Sequence, residues 1–216
     1  MIIQQLAALR LTKYWAKRLE LFGPEKAFLP LTHESLSEGT KAAIERGFVT
    51  VLPGVKDPDG RGVVLVDPSR IDSSKFERVD MVRGFWYSIH AILEEESTQK
   101  RGMIALVCPR NAKLSKFDSK LDQMIMESIK GCLPLRMSCI AICHPPSFFR
   151  IIWPIVSVIM GARLRKRVKV FMGKDEDVVG KVESIGLTRD QIPELIGGNF
   201  KVDRKAWLEA RIQEGK

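Results

Sequence analysis

The sequence predicts an α/β fold, a mostly parallel central sheet flanked by helices, and three observations carry that class. Met103 to Val107 and Met137 to Cys143 are apolar at nearly every consecutive position, the pattern of strands buried on both faces, as parallel strands are. The stretches between such runs show helical periodicity over lengths that a crossover between parallel strands requires. Phe48 to Leu52 and Val63 to Val66 are instead joined by the turn formers Pro53-Gly54 and Asp57-Pro58-Asp59-Gly60, so this first pair is expected to be an antiparallel hairpin.

The elements follow in order. Leu6, Leu9, Tyr14, Trp15, Leu19 and Phe22 recur at helical spacing with basic residues between them, and Gly23-Pro24 ends the run. A second helix is expected from Ser35 to Arg46, stopped by Gly47. After the hairpin, Asp67-Pro68 closes the second strand and a long helix runs from about Lys75 to Glu96, with Phe76, Val79, Val82, Phe85, Trp86, Ile89, Ile92 and Leu93 on one broad face. Cys108-Pro109 ends the strand from Met103, and a helix follows from about Lys116 to Ile129. His144-Pro145-Pro146 ends the strand from Met137, and Val168 to Phe171 is the last strand. Asp175 is expected to cap a helix reaching about Ile185, Thr188 starts a short one toward Leu195, and Asp203 caps a closing helix to about Gln213.

A chain of 216 residues buries a real core. Its 45% hydrophobic and 28% charged content is that of a globular protein. The net charge of +9 favours an anionic partner, a membrane surface or nucleic acid. The basic residues have no aromatic interleaving and no nucleic-acid motif, which argues against the second. Four cysteines without a C-x-x-C pair read as reduced thiols, hence a cytoplasmic setting. Met1 to Leu9 is broken by Gln4-Gln5 and lacks a basic leader, so it reads as helix rather than signal peptide.

No G-x-S-x-G, G-x-G-x-x-G, Walker-type or H-E-x-x-H motif occurs, and His33, His90 and His144 imply no common partner. No catalytic residue, cofactor or metal ligand is expected, so the chain is not read as an enzyme. Cys139 and Cys143, four apart on one strand face, read as core thiols.

The most unusual stretch runs from Phe148 to Ala162 and straight into Arg163-Leu164-Arg165-Lys166-Arg167. Between Arg150 and Arg163 only Ser157 is polar, over a length well short of the ~20 residues that cross a bilayer. A helix apolar on every side must touch protein, lipid or a bound apolar molecule on each face. Ending in a cationic cluster, it suits a water–lipid boundary better than a deep core.

The order Val63-Val64-Leu65-Val66-Asp67, a long helix, then Leu133-Pro134-Leu135-Arg136 leading into Met137 to Cys143, resembles the CRAL-TRIO lipid-binding domain family. Pro145 to Phe149, the apolar helix, Arg163 to Phe171 and the terminal Ile192-Pro193-Glu194-Leu195-Ile196-Gly197-Gly198 continue that plan. The family includes phosphatidylinositol/phosphatidylcholine, tocopherol and retinaldehyde transfer proteins. The resemblance implies a sheet-floored apolar cavity closed by a gate helix, here Phe148 to Leu164. It divides the chain into a short helical segment at 1–47, the lipid-binding domain at 48–198 and a C-terminal helix at 199–216. The two helices before Gly47 stand where the family carries a larger bundle. Two departures matter: Cys143-His144-Pro145 replaces the family's Asn-x-Pro, and Arg167 stands where phosphoinositide-binding members often have Lys, though Arg still pairs with phosphate.

On this reading Phe148, Phe149, Ile152, Trp153, Val156, Ile159 and Met160 form the movable wall of a ligand cavity, with Phe85, Trp86 and Ile89 opposite. Gly161 is either a hinge or a close-packing site. Arg163, Arg165, Lys166, Arg167 and Lys169 are expected to meet anionic headgroups on docking. The implied function is to bind a hydrophobic ligand, a phospholipid above all, and to exchange it with membranes, as a monomer that associates transiently with an anionic membrane surface. The alternative is a non-transferring interaction module whose pocket is vestigial or holds a structural lipid.

Overall fold

The computed structural model describes residues 2–216; Met1, at the head of the expected first helix, lies outside them. Eight α-helices and five strands are described. Helix α1 (Ile2–Lys26) is broken at Gly23, and α2 (Glu38–Arg46) is capped by Ser37, whose side chain accepts from the Thr40 N–H, and closed by left-handed Gly47. Strand β1 (Val49–Lys56) pairs antiparallel with β2 (Gly62–Val66). Helices α3 (Arg78–Ile92) and α4 (Glu96–Arg101) lead to β3 (Met103–Val107). Helix α5 (Ser119–Glu127) leads to β4 (Met137–Cys143), α6 (Phe149–Arg165) to β5 (Val168–Phe171), and α7 (Asp175–Glu183) and α8 (Arg204–Gln213) close the chain.

The sheet order is β1-β2-β3-β4-β5, and every pair after the first is parallel. When strands follow one another in space and every crossover has the same hand, all crossover helices fall on one face. That face carries Val64, Met103, Ala105, Ile140 and Ile142, packed in one cluster with residues of α3, α5 and α6. The alternate residues Val63, Leu65, Ile104, Leu106 and Ala141 point the other way, into a second cluster with α7 and the segment around Ile192 and Ile196. Gly198 belongs to this second layer, where a Cβ would collide with the Ile192 carbonyl oxygen. Close backbone approach is thus the physical reason for the terminal Gly-Gly.

Several boundaries depart from the pattern. Strand β1 runs on through Pro53-Gly54 with a register irregularity between Val51 and Lys56, and the reversal is made by Asp57, which accepts from the Arg61 N–H at 2.9 Å and the Arg61 Nε at 2.6 Å. The long helix ends at Ile92, before Glu94-Glu95-Glu96, because three carboxylates in a last turn oppose the helix dipole. The helix expected from Lys116 begins at Ser119 instead, where Asp118 caps it by accepting from the Leu121 N–H. Asp175 is the first residue of α7 rather than its cap.

The N-terminal helix is not separate from the body. Leu21 and Tyr14 pack in the crossover-face cluster, and Tyr14 stacks on Trp86 with ring centroids 5.6 Å apart. At the other end, Arg211 of α8 reaches Glu94 at 2.8 Å and Tyr87 Oη at 3.0 Å, tying α8 to the end of α3.

Candidate functional site

Between the crossover face of the sheet and α6 lies a cavity of about 200 Å³. Val64, Met103, Ala105, Ile140 and Ile142 make its floor, Phe85 and Ile89 of α3 one side, and Ile125 and Met126 of α5 another. The roof is Phe148 with Phe149, Ile152, Val156, Ile159 and Met160 of α6. The volume falls below the ~300–1,000 Å³ of typical small-molecule sites. A larger guest fits only with some of these walls displaced.

Helix α6 is interrupted at two points. Pro154 removes one of its internal hydrogen bonds. Gly161 sits at φ 78, ψ 164, a region open essentially to glycine alone, so the helix is two segments joined at a bend. A Cβ on Gly161 would meet only Lys130 Cδ, at 3.9 Å; backbone conformation, not close packing, selects glycine there. Lys130 Nζ donates to the Ile159 carbonyl at 2.6 Å, satisfying an acceptor that the bend leaves free.

The outer face of α6 is apolar and bare. Ile151, Ile155 and Val158 are 65%, 46% and 76% exposed, and their spacing puts them on one stripe, about 100° round the helix from Ile152, Val156 and Ile159. Met172, just after β5, is also exposed, at 64%. Beside this strip Arg163, Arg165, Lys166, Arg167 and Lys169 all face solvent, and none makes an ion pair within 4.0 Å among the described residues.

The cavity has one polar corner, formed by Lys113, Lys116, Asp118 and Asp122 on and before α5. Lys116 Nζ reaches Asp72 at 2.7 Å, and this bond with one from Ser74 holds the Asp72 carboxyl well below the usual carboxylate range. Asp118 receives Arg78 Nε on both oxygens, at 3.0 and 2.8 Å. Burial, and then the charge of Asp118, push the Asp122 carboxyl up to about 7.

The sequence profile of the CRAL/TRIO domain matches residues 45–198, most of the chain. The chain belongs to the CRAL/TRIO domain family. Over 170 residues it is 24% identical to the human tyrosine-protein phosphatase non-receptor type 9, which covers 79% of this chain and 27% of that protein. The human alpha-tocopherol transfer protein-like is 24% identical over 171 residues, 77% of this chain and 48% of that one. The chain thus spans about a quarter to a half of the length of these relatives. The crystal structure of Sfh5 shares the fold at a TM-score of 0.59 and 13% identity, covering 92% of this chain and 73% of that one. CRAL/TRIO proteins are lipid-binding and lipid-transfer proteins, generally without catalysis.

Within this CRAL/TRIO fold, two of the expected wall residues stand elsewhere. Trp86 is fully buried behind the cavity, where it stacks on Tyr14 and His90 and its Nε1–H donates to Ser128 Oγ at 2.9 Å. Phe85 and Ile89, i and i+4, share the face turned to the cavity, and the residue between is carried about 100° round the helix. Trp153 packs sideways against Phe149 with centroids 5.5 Å apart and does not line the space. None of the five cations after Gly161 lines it either; Arg167 contributes only its carbonyl, which accepts from the Ile140 N–H at 2.9 Å. His144, where the family has Asn-x-Pro, takes φ 52 and sits with Nε2 2.9 Å from the Ile196 carbonyl and 2.8 Å from Arg110 Nη2, outside the cavity. His90 is held by Tyr14 and Trp86. Among the described residues no cluster of His, Cys, Asp or Glu could hold a metal ion, and no helix is long and apolar enough to cross a membrane.

The segment from Lys113 to Met126 was not anticipated as part of the wall. A signal was present in α5: Asp122 lies three and four residues before Ile125 and Met126, on the apolar face rather than the wet one.

Proposed function

We propose that this protein holds a phospholipid in the cavity beneath α6, hydrocarbon inward, and exchanges it with membranes when α6 swings on Gly161. The observation that carries this reading is the double character of α6. One face roofs an apolar cavity, and a second face about 100° round the helix is bare, apolar and flanked by unpaired cations. A helix with hydrocarbon-seeking groups on two faces trades one contact for the other at a bilayer surface. Its outer strip sinks into the acyl boundary while the cations meet anionic headgroups, each worth roughly 1 kcal/mol near such a surface. Every methylene the lipid buries contributes about 0.8 kcal/mol, which supplies the driving force for filling the cavity.

Two measurements test the reading. The purified protein is extracted and its lipids are identified by mass spectrometry; a stoichiometric phospholipid that exchanges with vesicle lipid is the expected result. Transfer of a fluorescent phospholipid between vesicles is then followed with and without anionic lipid, at low and high salt, and is expected to be faster on anionic vesicles and slowed by salt. A lipid that is bound but never exchanged would replace transfer by the non-transferring module. Transfer indifferent to anionic content and to salt would remove the basic cluster from docking.

A further inference from the structure

Three of the four charged side chains on the cavity wall are accounted for. Asp118 is held by Arg78 and by the Leu121 N–H, Lys116 holds Asp72, and Lys113 is exposed to water at the rim. Asp122 is different. It lies one turn into α5, partly buried, on the face shared with Ile125 and Met126, and it lines the cavity. Among the described residues no donor reaches its carboxyl and no cation pairs with it, and one turn before it stands a second carboxylate, Asp118.

A carboxyl in such a place costs stability unless something answers it. An aliphatic residue would extend the wall made by Ile125 and Met126 at no such cost. We propose that Asp122 is a specificity-determining residue of the cavity, one that receives the ammonium group of a lipid headgroup. The inference rests on the lipid-exchange reading above and names the chemistry of its ligand. A cation placed there offsets both the desolvation of the carboxylate and its repulsion by Asp118. A phosphate or carboxylate would find its partner in the free Lys113 at the rim and would leave Asp122 unanswered. A neutral alcohol would accept or donate one hydrogen bond and leave the charge unanswered. A primary ammonium also donates hydrogen bonds, which a quaternary one cannot, so the site ranks primary above quaternary amines.

Two sources carry that chemistry, a zwitterionic phospholipid and a sphingoid amine, and one experiment separates them. The full chain is incubated with vesicles containing equal parts of phosphatidylethanolamine, phosphatidylcholine, phosphatidylglycerol, sphingosine and diacylglycerol, re-isolated, and its lipids quantified by mass spectrometry. The ammonium lipids are expected to be enriched about tenfold or more over phosphatidylglycerol and diacylglycerol, the ratio that a charge-assisted hydrogen bond supports. Phosphatidylethanolamine above sphingosine marks the zwitterion as the source, and the reverse marks the amine. Asp122→Asn is expected to abolish the enrichment and to raise diacylglycerol uptake, a gain that a misfolded variant would not show. Asp122→Glu is expected to restore the preference. Lipid taken up without headgroup preference, or with a preference that Asp122→Asn leaves intact, overturns this inference and leaves lipid exchange standing. Failure of the wild type to take up any lipid overturns the exchange reading, and this inference with it.

Discussion

The two faces of the central sheet are lined by the same kinds of side chain, yet one is packed shut and the other encloses a cavity. On the face covered by α7, Val63, Leu106, Ala141, Val178, Ile192 and Ile196 are fully buried against one another. On the crossover face the strands present Val64, Ala105, Ile140 and Ile142 to helices α3, α5 and α6, and α6 stands off from them over about 200 Å³. The residues alternate along the same strands, so strand composition does not make the difference. The covering elements do. The α7 side is sealed by a segment whose Gly198 allows its backbone to close on Ile192, whereas the crossover side is covered by a helix bent at Gly161 and weakened at Pro154. One face supplies the stability that the other gives up to remain open.

The sharpest way to break that comparison is to make the same cut on both faces. Leu106→Ala on the sealed face is expected to cost about 3–5 kcal/mol, because a rigid, filled layer cannot collapse onto the hole. Ile152→Ala in the roof widens an existing cavity at a partly exposed site and is expected to cost about 1–2 kcal/mol, no more than the transfer of its three deleted carbons. Urea unfolding of the two variants checks both values. Equal losses would show that the cavity face is as tightly packed as the other.

The cavity face also carries the larger pH dependence. Asp122 has its carboxyl raised from 3.8 to about 7, so between those values the folded chain holds a proton that the unfolded chain has released. Its contribution is fully present below pH 4 and is lost as pH rises through 7. The full shift corresponds to about 4 kcal/mol at most, at ~1.4 kcal/mol per pH unit. Denaturation midpoints of wild type and Asp122→Asn across pH 4 to 8 are expected to converge at the acid end and to separate toward pH 8, with the variant the more stable there.

How the bend in α6 supports the open face is tested at Gly161. An alanine there must adopt a backbone conformation that costs roughly 1–3 kcal/mol, with no steric clash to complicate the result. The variant is expected to melt at a lower temperature and to exchange lipid at a changed rate. A Gly161→Ala chain indistinguishable from wild type in both respects would show that the bend is not what holds the lid.

Much of this was legible before the coordinates. Met103–Val107 and Met137–Cys143 fall where the continuous apolar runs put them, because strands buried on both faces leave no polar register to misplace. Helix α6 was legible as an anomaly, since few soluble helices are apolar all round. Its faces could not be sorted, because a segment without a polar stripe carries no information on which side is wet; Ile151 and Ile152 are chemically identical, yet one is exposed and the other lines the cavity. Trp86 was misassigned for a related reason. A large aromatic on a core helix face reads as ligand wall or helix contact alike, and only the Tyr14 ring decides between them. The polar corner at Asp122 was hidden because an isolated acidic residue in a helix ordinarily marks the solvent side.

The smallest expected effects belong to the outside of the lid, where the comparison between faces becomes one between two sides of a single helix. Val158→Ser removes the most exposed apolar side chain of the outer strip and touches nothing in the cavity, so stability should stay within about 0.5 kcal/mol. Vesicle affinity is expected to fall several-fold, as the loss of one inserted aliphatic side chain implies. Arg163→Gln and Arg165→Gln each remove one unpaired cation and are expected to weaken binding to anionic vesicles about fivefold at low salt. The same changes should be nearly silent at high salt, where screening hides the charge but not the apolar strip. Sedimentation with vesicles at two ionic strengths therefore separates the strip from the cluster. If Val158→Ser and the arginine variants respond to salt in the same way, the outer face of α6 does not enter the bilayer and the cations alone bring the protein to its surface.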